Sequence, residues 1–390
     1  STLVIHDGRV QSVHDGFVGA DTLADVPDDA SVIDQRQRYV LPGLIDAHVH
    51  LTSDLGGQEA LIAEFTRNVA DHAYEAALNA RKTLAAGFTT VRNVGADQFQ
   101  DVGLKEAVDG GWAVGPRIVP ATYAIGATGG HCDSNALPPQ YDRQEASVIN
   151  SPDEARAKVR WLHKYGAEVI KICATGGVFS LGDSVGGQQL TFEEMKAIAD
   201  EAHMLHLKVA AHAHGDEGIR TAILAGIDTI EHCSLASDET IKLAAQRKTW
   251  FSMDIYNDDY ILATGTSNGT EQESLDKEKE IGLKQRQTFQ RAVRGGVQMV
   301  FGSDAGVYPH GDNGRQFAKM VEWGMTPLQA IQAATVNAAQ ALGREADVGA
   351  IAVGRYGDMI AVDGDPLANV RELEHVAVVI KGGEVVKGAQ

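Results

Sequence analysis

The chain has 390 residues and a mass of 41.5 kDa, enough for two or three domains or for one large barrel with an accessory piece. Its 34 Lys and Arg face 53 Asp and Glu, a formal net charge of −19 at pH 7, which argues against nucleic acid and anionic membranes as partners. No apolar run reaches the roughly 18 residues a membrane-spanning helix needs, and three cysteines are too few for a disulfide framework.

Residues 1–42 hold short strand-like runs, such as Leu3-Val4-Ile5, broken by His-Asp-Gly turns. Residues 43–347 alternate strands with helical patterns, the signature of a parallel α/β fold. Eight strands are predicted, at 44–50, 89–95, 117–122, 169–175, 208–214, 229–233, 250–256 and 299–305. Helices are predicted between most of them, at 59–86, 153–165, 192–205, 217–225, 238–246 and 275–294. Eight such units predict a (β/α)8 TIM barrel. An open doubly wound sheet is the weaker reading, because no Gly-x-Gly-x-x-Gly follows the first barrel strand. Residues 348–390 return to short strands, with Lys381-Gly382-Gly383-Glu384 as a hairpin turn. Neither end has enough strand to bury a face alone, so 1–42 and 348–390 together are expected to form one small β-sandwich domain.

Chemistry-bearing residues cluster at the ends of the predicted strands. His48 and His50 are two apart on a strand and so share a face. At the C-terminal end of a barrel strand that face looks into the site, and two imidazoles there can hold a divalent metal. His-x-His is common by chance, but His212-Ala213-His214, His232 and Asp304 also end strands, and Lys171 sits between Ile170 and Ile172. A buried ammonium is costly unless paired. Lys171 is therefore either salt-bridged or a neutral amine that takes up carbon dioxide, the carbamate being an anionic, two-oxygen metal ligand. Cys132, Cys173 and Cys233 lie beside these positions and are expected to be small apolar packing residues.

The sequence resembles the metal-dependent amidohydrolase superfamily, in its prolidase-like dipeptidase and carboxypeptidase branch. The resemblance rests on residues 41–50 (LPGLIDAHVH), 87–92 (GFTTVR), 128–131 (TGGH), Ile170-Lys171, 211–215 (AHAHG), 230–232 (IEH) and 302–306 (GSDAG), and it covers essentially the whole chain. It implies two divalent metal ions, usually zinc, with ligands His48, His50, Lys171 (N-carboxylated), His212, His232 and Asp304. It implies His214 as a substrate contact and Asp304 as the group that takes a proton from the attacking water and passes it to the leaving nitrogen. His131, in a Gly-rich loop, is expected to stabilise the oxyanion or bind the substrate carboxylate. Asp46, Arg92 and Glu231 are candidates to orient ligands or to form structural salt bridges.

The segments 252–260 and 307–313 look like those of enzymes hydrolysing dipeptides with C-terminal Arg or Lys. Asp254, Asp258, Asp259 or Asp312 would pair with that cation, and Tyr256 with the substrate carboxylate. The expected activity is metallopeptidase hydrolysis of dipeptides or short peptides, releasing C-terminal Arg or Lys. The alternative is an Xaa-Pro dipeptidase or an amidohydrolase of N-acyl amino acids of the mycotoxin type. A non-catalytic metal-binding barrel is disfavoured by the full ligand set, and a deaminase by Lys171. The expected partner is a small peptide or amino-acid amide. Exposed helical faces could pack as a homo-oligomer. The chain begins at Ser1 with no signal region, so a soluble protein of the cytoplasm, or one secreted or periplasmic after loss of a leader, is expected.

Overall fold

The computed structural model describes the chain apart from residues 20, 21, 24, 25, 28, 29, 55, 56, 136, 137, 139, 141–145, 389 and 390. In chain order, β1 (Thr2–His6) pairs with β2 (Arg9–His14), and β3 (Tyr39–Pro42) leads into the first barrel strand, β4 (Leu44–Val49). Next come β5 (Phe88–Asn93), β6 (Arg117–Pro120), two short strands β7 (Gly126–Ala127) and β8 (Val148–Ile149), and β9 (Val169–Cys173). The series continues with β10 (Lys208–Ala213), β11 (Thr229–His232), β12 (Trp250–Ser252) and β13 (Gln298–Val300). It ends with β14 (Met359–Val362), β15 (Val378–Lys381) and β16 (Glu384–Lys387).

Two parallel arcs, β4-β5-β6 and β9-β10-β11-β12-β13, supply the eight barrel strands. Two seams close them into a ring. At one, Val49 bridges Ala305, Ala47 N donates to Phe301 O, and Asp304 N donates to His48 O. At the other, Ile125 bridges Ile172, and Ile125 N donates to Lys171 O. Every residue of β4, β5, β9 and β11 is buried, as expected of strands covered on both faces. The inner core includes Leu44, Ile170, Ala211, Ile230 and Phe251.

The end strands assemble from both termini. β3 pairs antiparallel with β14, which pairs with β15, and β16 closes the hairpin at Gly382-Gly383. Leu3 and Ile5 of the β1–β2 hairpin pack on Met359, Ala361, Val378 and Ile380 of that sheet, giving the two layers of a sandwich. The fold is the (β/α)8 barrel with a β-sandwich that the sequence predicts.

Two helical predictions change. The predicted helix at 59–86 is two helices, Gly57–Thr66 and Val69–Ala85. Asn68 starts the second with a capping box, its side chain accepting from the Ala70 and Asp71 amides. The segment read as a loop after the seventh barrel strand contains the helix Asn257–Asn268. Asn268 and the left-handed Gly269 end it.

Candidate active site

The C-terminal ends of the barrel strands surround a cavity of about 220 Å3. His48, His50, His131, Lys171, His212, His214, His232, Asp254 and Asp304 all line it. Strand register explains the gathering. Ala210 sits opposite Lys171 and His212 opposite Glu231, so Lys171, His212 and Glu231 share one face of the sheet, while His232 lies opposite Ala213, one residue further on. His232 and Asp304 have φ of 69° and 57°, a left-handed backbone that non-glycine residues adopt at a cost and that recurs at functional sites.

The imidazoles are held from behind. His48 Nδ1 donates to Glu231 Oε2 at 2.9 Å, and His232 Nδ1 donates to Asp254 Oδ1 at 2.8 Å. His214 Nδ1 is hydrogen-bonded to Ser234 Oγ at 2.8 Å. With Nδ1 fixed, the Nε2 side of each ring is the free coordinating edge. Asp304 Oδ1 lies 3.1 Å from His48 Nε2 and 3.2 Å from His50 Nε2, while its Oδ2 accepts from Asn257 Nδ2 at 3.0 Å. Three overlapping groups bring ligand atoms within 4.8 Å of one another: His212, His214 and His232; His48, His50 and Asp304; and His232, Asp254 and Asp304.

The electrostatics suit cations. Burial and neighbouring imidazoles hold His212 and His214 well below the ordinary histidine range, so both present neutral rings. Burial and His232 push His131 down to about 4. Burial lowers Lys171 to about 8, with Glu231 and Asp304 acting in the opposite direction. Burial also pulls His48 down, but Asp304 and Glu231 leave it raised overall. The His212 Nε2 atom is buried without a hydrogen-bond partner among the described residues, as is His131 Nδ1. A buried nitrogen left bare is costly unless a ligand meets it. The donor set, imidazole nitrogens with a carboxylate and an amine, fits divalent metal ions. Gly177 lets the main chain pass close to this point: a Cβ there would lie 2.8 Å from His212 Nε2 and 2.7 Å from His131 Nδ1.

Support of the ligands engages acids expected to do other work. Asp254 lines the cavity, but His232, Asn257 and Gln285 take its oxygens. Asp258 pairs with Arg286, and Asp259 with Arg286 and Lys319. Asp312 pairs with Arg315 and stands outside the cavity lining, as does Tyr256, which packs on Tyr308 and is hydrogen-bonded to Arg315. The sequence reading that gave Asp254 and Asp312 a substrate cation and Tyr256 a substrate carboxylate finds these groups already partnered. Glu231 bridges His48 and Arg92, with Arg92 Nη2 donating to its Oε1 at 2.7 Å, so the group is both a ligand support and a buried salt bridge. Asp46 accepts from the His48 and Ser303 amides and from Asn313 Nδ2.

One cysteine expectation is corrected. Cys132 and Cys173 are joined in a disulfide that ties the His131 loop to the end of β9, and only Cys233 is a free, buried packing residue. No residue pattern pointed to it, because the two cysteines are 41 residues apart and meet only where the third and fourth barrel strands adjoin. Sequence reasoning also missed Asn257, Gln285 and Glu278, which reach the cavity from helices over its mouth. A larger cleft of about 610 Å3, lined by Asp238, Ile241, Arg291 and Arg294, lies between outer helices and holds none of these groups.

Comparison with known proteins gives the same picture. The amidohydrolase family profile matches residues 39–386. Ochratoxinase of Aspergillus niger is 31% identical over 415 aligned positions, spanning 100% of this chain and 83% of that protein. Its crystal structure superposes with a TM-score of 0.83 at 30% identity, covering 99% of this chain and 91% of the other. The crystal structure of a Xaa-Pro dipeptidase with bound methionine gives a TM-score of 0.92 at 36% identity, covering 99% and 94%. A prolidase complexed with N-methylphosphonate-L-proline gives 0.89 at 31% identity, covering 99% and 94%.

Proposed function

The chain belongs to the amidohydrolase family, a hydrolytic enzyme acting on amide or peptide bonds, and from that premise we propose that it cleaves dipeptides and N-acyl amino acids to release the C-terminal amino acid. The observation that carries this reading is the ring of imidazoles tied back through Nδ1 around a buried, unpartnered His212 Nε2. His48, His50, Lys171 as its carbamate, His212, His232 and Asp304 would hold two divalent cations, zinc first. Bound there, the cations supply Lewis-acid polarisation of the scissile carbonyl and lower the pKa of water.

The chain's own groups do the rest. Asp304, oriented by Asn257, takes the proton of the attacking water on its carboxylate and returns it to the leaving nitrogen. Glu231 and Asp254 hold His48 and His232 in one tautomer. His131 stacks on His212 at 4.0 Å between ring centroids and offers a ring nitrogen to the developing oxyanion or to the substrate carboxylate. His214 lines the same wall as a substrate contact.

Release of Arg or Lys is favoured by one acid of the cavity wall, Glu278, which has no hydrogen-bond or ion-pair partner among the described residues. A second reading, release of proline or another apolar residue, is favoured by the wall of Val94, Val178, Phe179, Ile261, Ile281 and Val307. The names of the similar proteins, Xaa-Pro dipeptidase, prolidase and ochratoxinase, lean toward that second reading.

The test is release of the C-terminal residue from a panel of dipeptides and N-acyl amino acids by protein reconstituted with zinc in bicarbonate. Turnover that chelation abolishes is the expected result. Silence across the amides, with turnover of an aminopurine or a lactone, would overturn the proposal.

A further inference from the structure

Glu278 stands apart from every other acid around the cavity. It lines the cavity yet is 4% exposed, and it makes no hydrogen bond or ion pair with another described residue. Burial, with Asp258 and Asp254 nearby, pushes its carboxyl up to about 8. A carboxyl so placed is mostly protonated near neutral pH, and a cation brought beside it favours the charged form.

Among the described residues no cation of the same helix pairs with it, and Arg286 acts on it only through space. On the same helix, Gln272–Arg294, Lys277 pairs with Asp183 and Glu273, Lys279 with Asp276, and Lys284 with Glu280. Arg286 spends its donors on Asp258, Asp259 and Ile255 O. The helix nevertheless turns Glu278, Ile281 and Gln285 to the cavity, three positions on one face. Gln285 Nε2 reaches the ligand supports, donating to Asp254 Oδ1 at 3.0 Å. Glu278 lies two turns earlier, roughly 10 Å along the axis. The two side chains therefore meet different stretches of the cavity wall, with Asp254 and Asp304 still near enough to act on Glu278 through space.

We propose that Glu278 is a specificity residue that receives a cationic group of the substrate, an ammonium or guanidinium, at the cavity wall formed by the helix Gln272–Arg294. The proposal rests on the hydrolytic reading above. The cation has two possible sources, the free α-ammonium of the N-terminal residue or the side chain of the released residue.

Three compounds separate them: Ala-Leu carries only the ammonium, N-acetyl-arginine only the guanidinium, and N-acetyl-leucine neither. The measurement is kcat/KM for each with the zinc-reconstituted parent and with Glu278→Gln, an isosteric change that keeps the helix face. The expected result is a fall of roughly tenfold or more in the ratio of one cationic compound to N-acetyl-leucine, the size of a lost charged hydrogen bond. Which ratio falls names the source. Ratios that are the same in parent and variant would overturn the proposal while leaving the hydrolytic reading in place. If the parent hydrolyses none of the three, that reading fails instead. Calorimetric binding of the same compounds then decides the Glu278 proposal: a cation preference lost in the variant supports it, and no preference in the parent overturns it.

Discussion

At the scale of single residues, Glu231 joins chemistry to stability. It is fully buried, its two oxygens held by His48 and Arg92. Burial alone would raise its carboxyl, but Arg92 and His48 hold it well below the usual glutamate range. A depressed carboxyl contributes stability that is complete above the unfolded value near 4.5 and is lost as the pH falls below it. Glu231→Gln strands the Arg92 charge, an expected cost of about 3–5 kcal/mol at neutral pH, read from urea unfolding. The gap between parent and variant should narrow as the pH drops below the ordinary glutamate range; a gap that widened would refute this assignment. The same change should weaken metal affinity by roughly 10–100-fold. The sequence offered Glu231 as a candidate to orient a ligand or to form a salt bridge, without naming its partners. Its partner His48 is 183 residues distant, and no spacing rule connects them.

At the scale of elements, the strand ends carry the proposed ligands, and they were legible because a polar residue closing an apolar run is conspicuous. The predicted strands nonetheless run long at their C-terminal ends. The sixth was read to 233 and stops at His232, and the eighth was read to 305 and stops at Val300. The chain leaves regular β geometry where His232, Cys233 and Asp304 turn left-handed, a local conformation set by the site rather than by propensity. Glu278 was hidden for a different reason. It sits in a run of charges, Asp276 to Glu280, that reads as a solvated helix face. The faint signal is its place on the stripe of Leu275, Gly282 and Gln285, all buried. The disulfide from Cys132 to Cys173 closes a long loop, and chain entropy assigns it about 4 kcal/mol. Mild reduction should therefore lower the melting temperature, and Cys132→Ser should reproduce the fall; an unchanged melting curve in both cases would mean that the bond does not form in solution.

At the scale of the whole molecule, the barrel was legible because eight apolar runs alternate with helical segments, and a ring needs only that order. What the order could not give is closure. The two arcs meet through single bridges at Val49 and Ile125, and one seam joins the strand carrying His48 and His50 to the segment carrying Asp304. That seam places Asp304 Oδ1 against both imidazoles, so the contacts that close the barrel also bring together half of the proposed ligand set. The excess of acids gives the molecule a negative field that favours cations over anions at its surface. No helix of the described residues is long and apolar enough to cross a membrane.

The central claim is a pair of cations held by six side chains, with Lys171 joining the set as its carbamate. Its most direct test is the metal content of protein reconstituted with zinc in bicarbonate, measured for the parent and for Lys171→Ala. The account expects two ions per chain in the parent and fewer in the variant, with amide hydrolysis lost in step. Two tightly held ions and full hydrolysis in Lys171→Ala would contradict it.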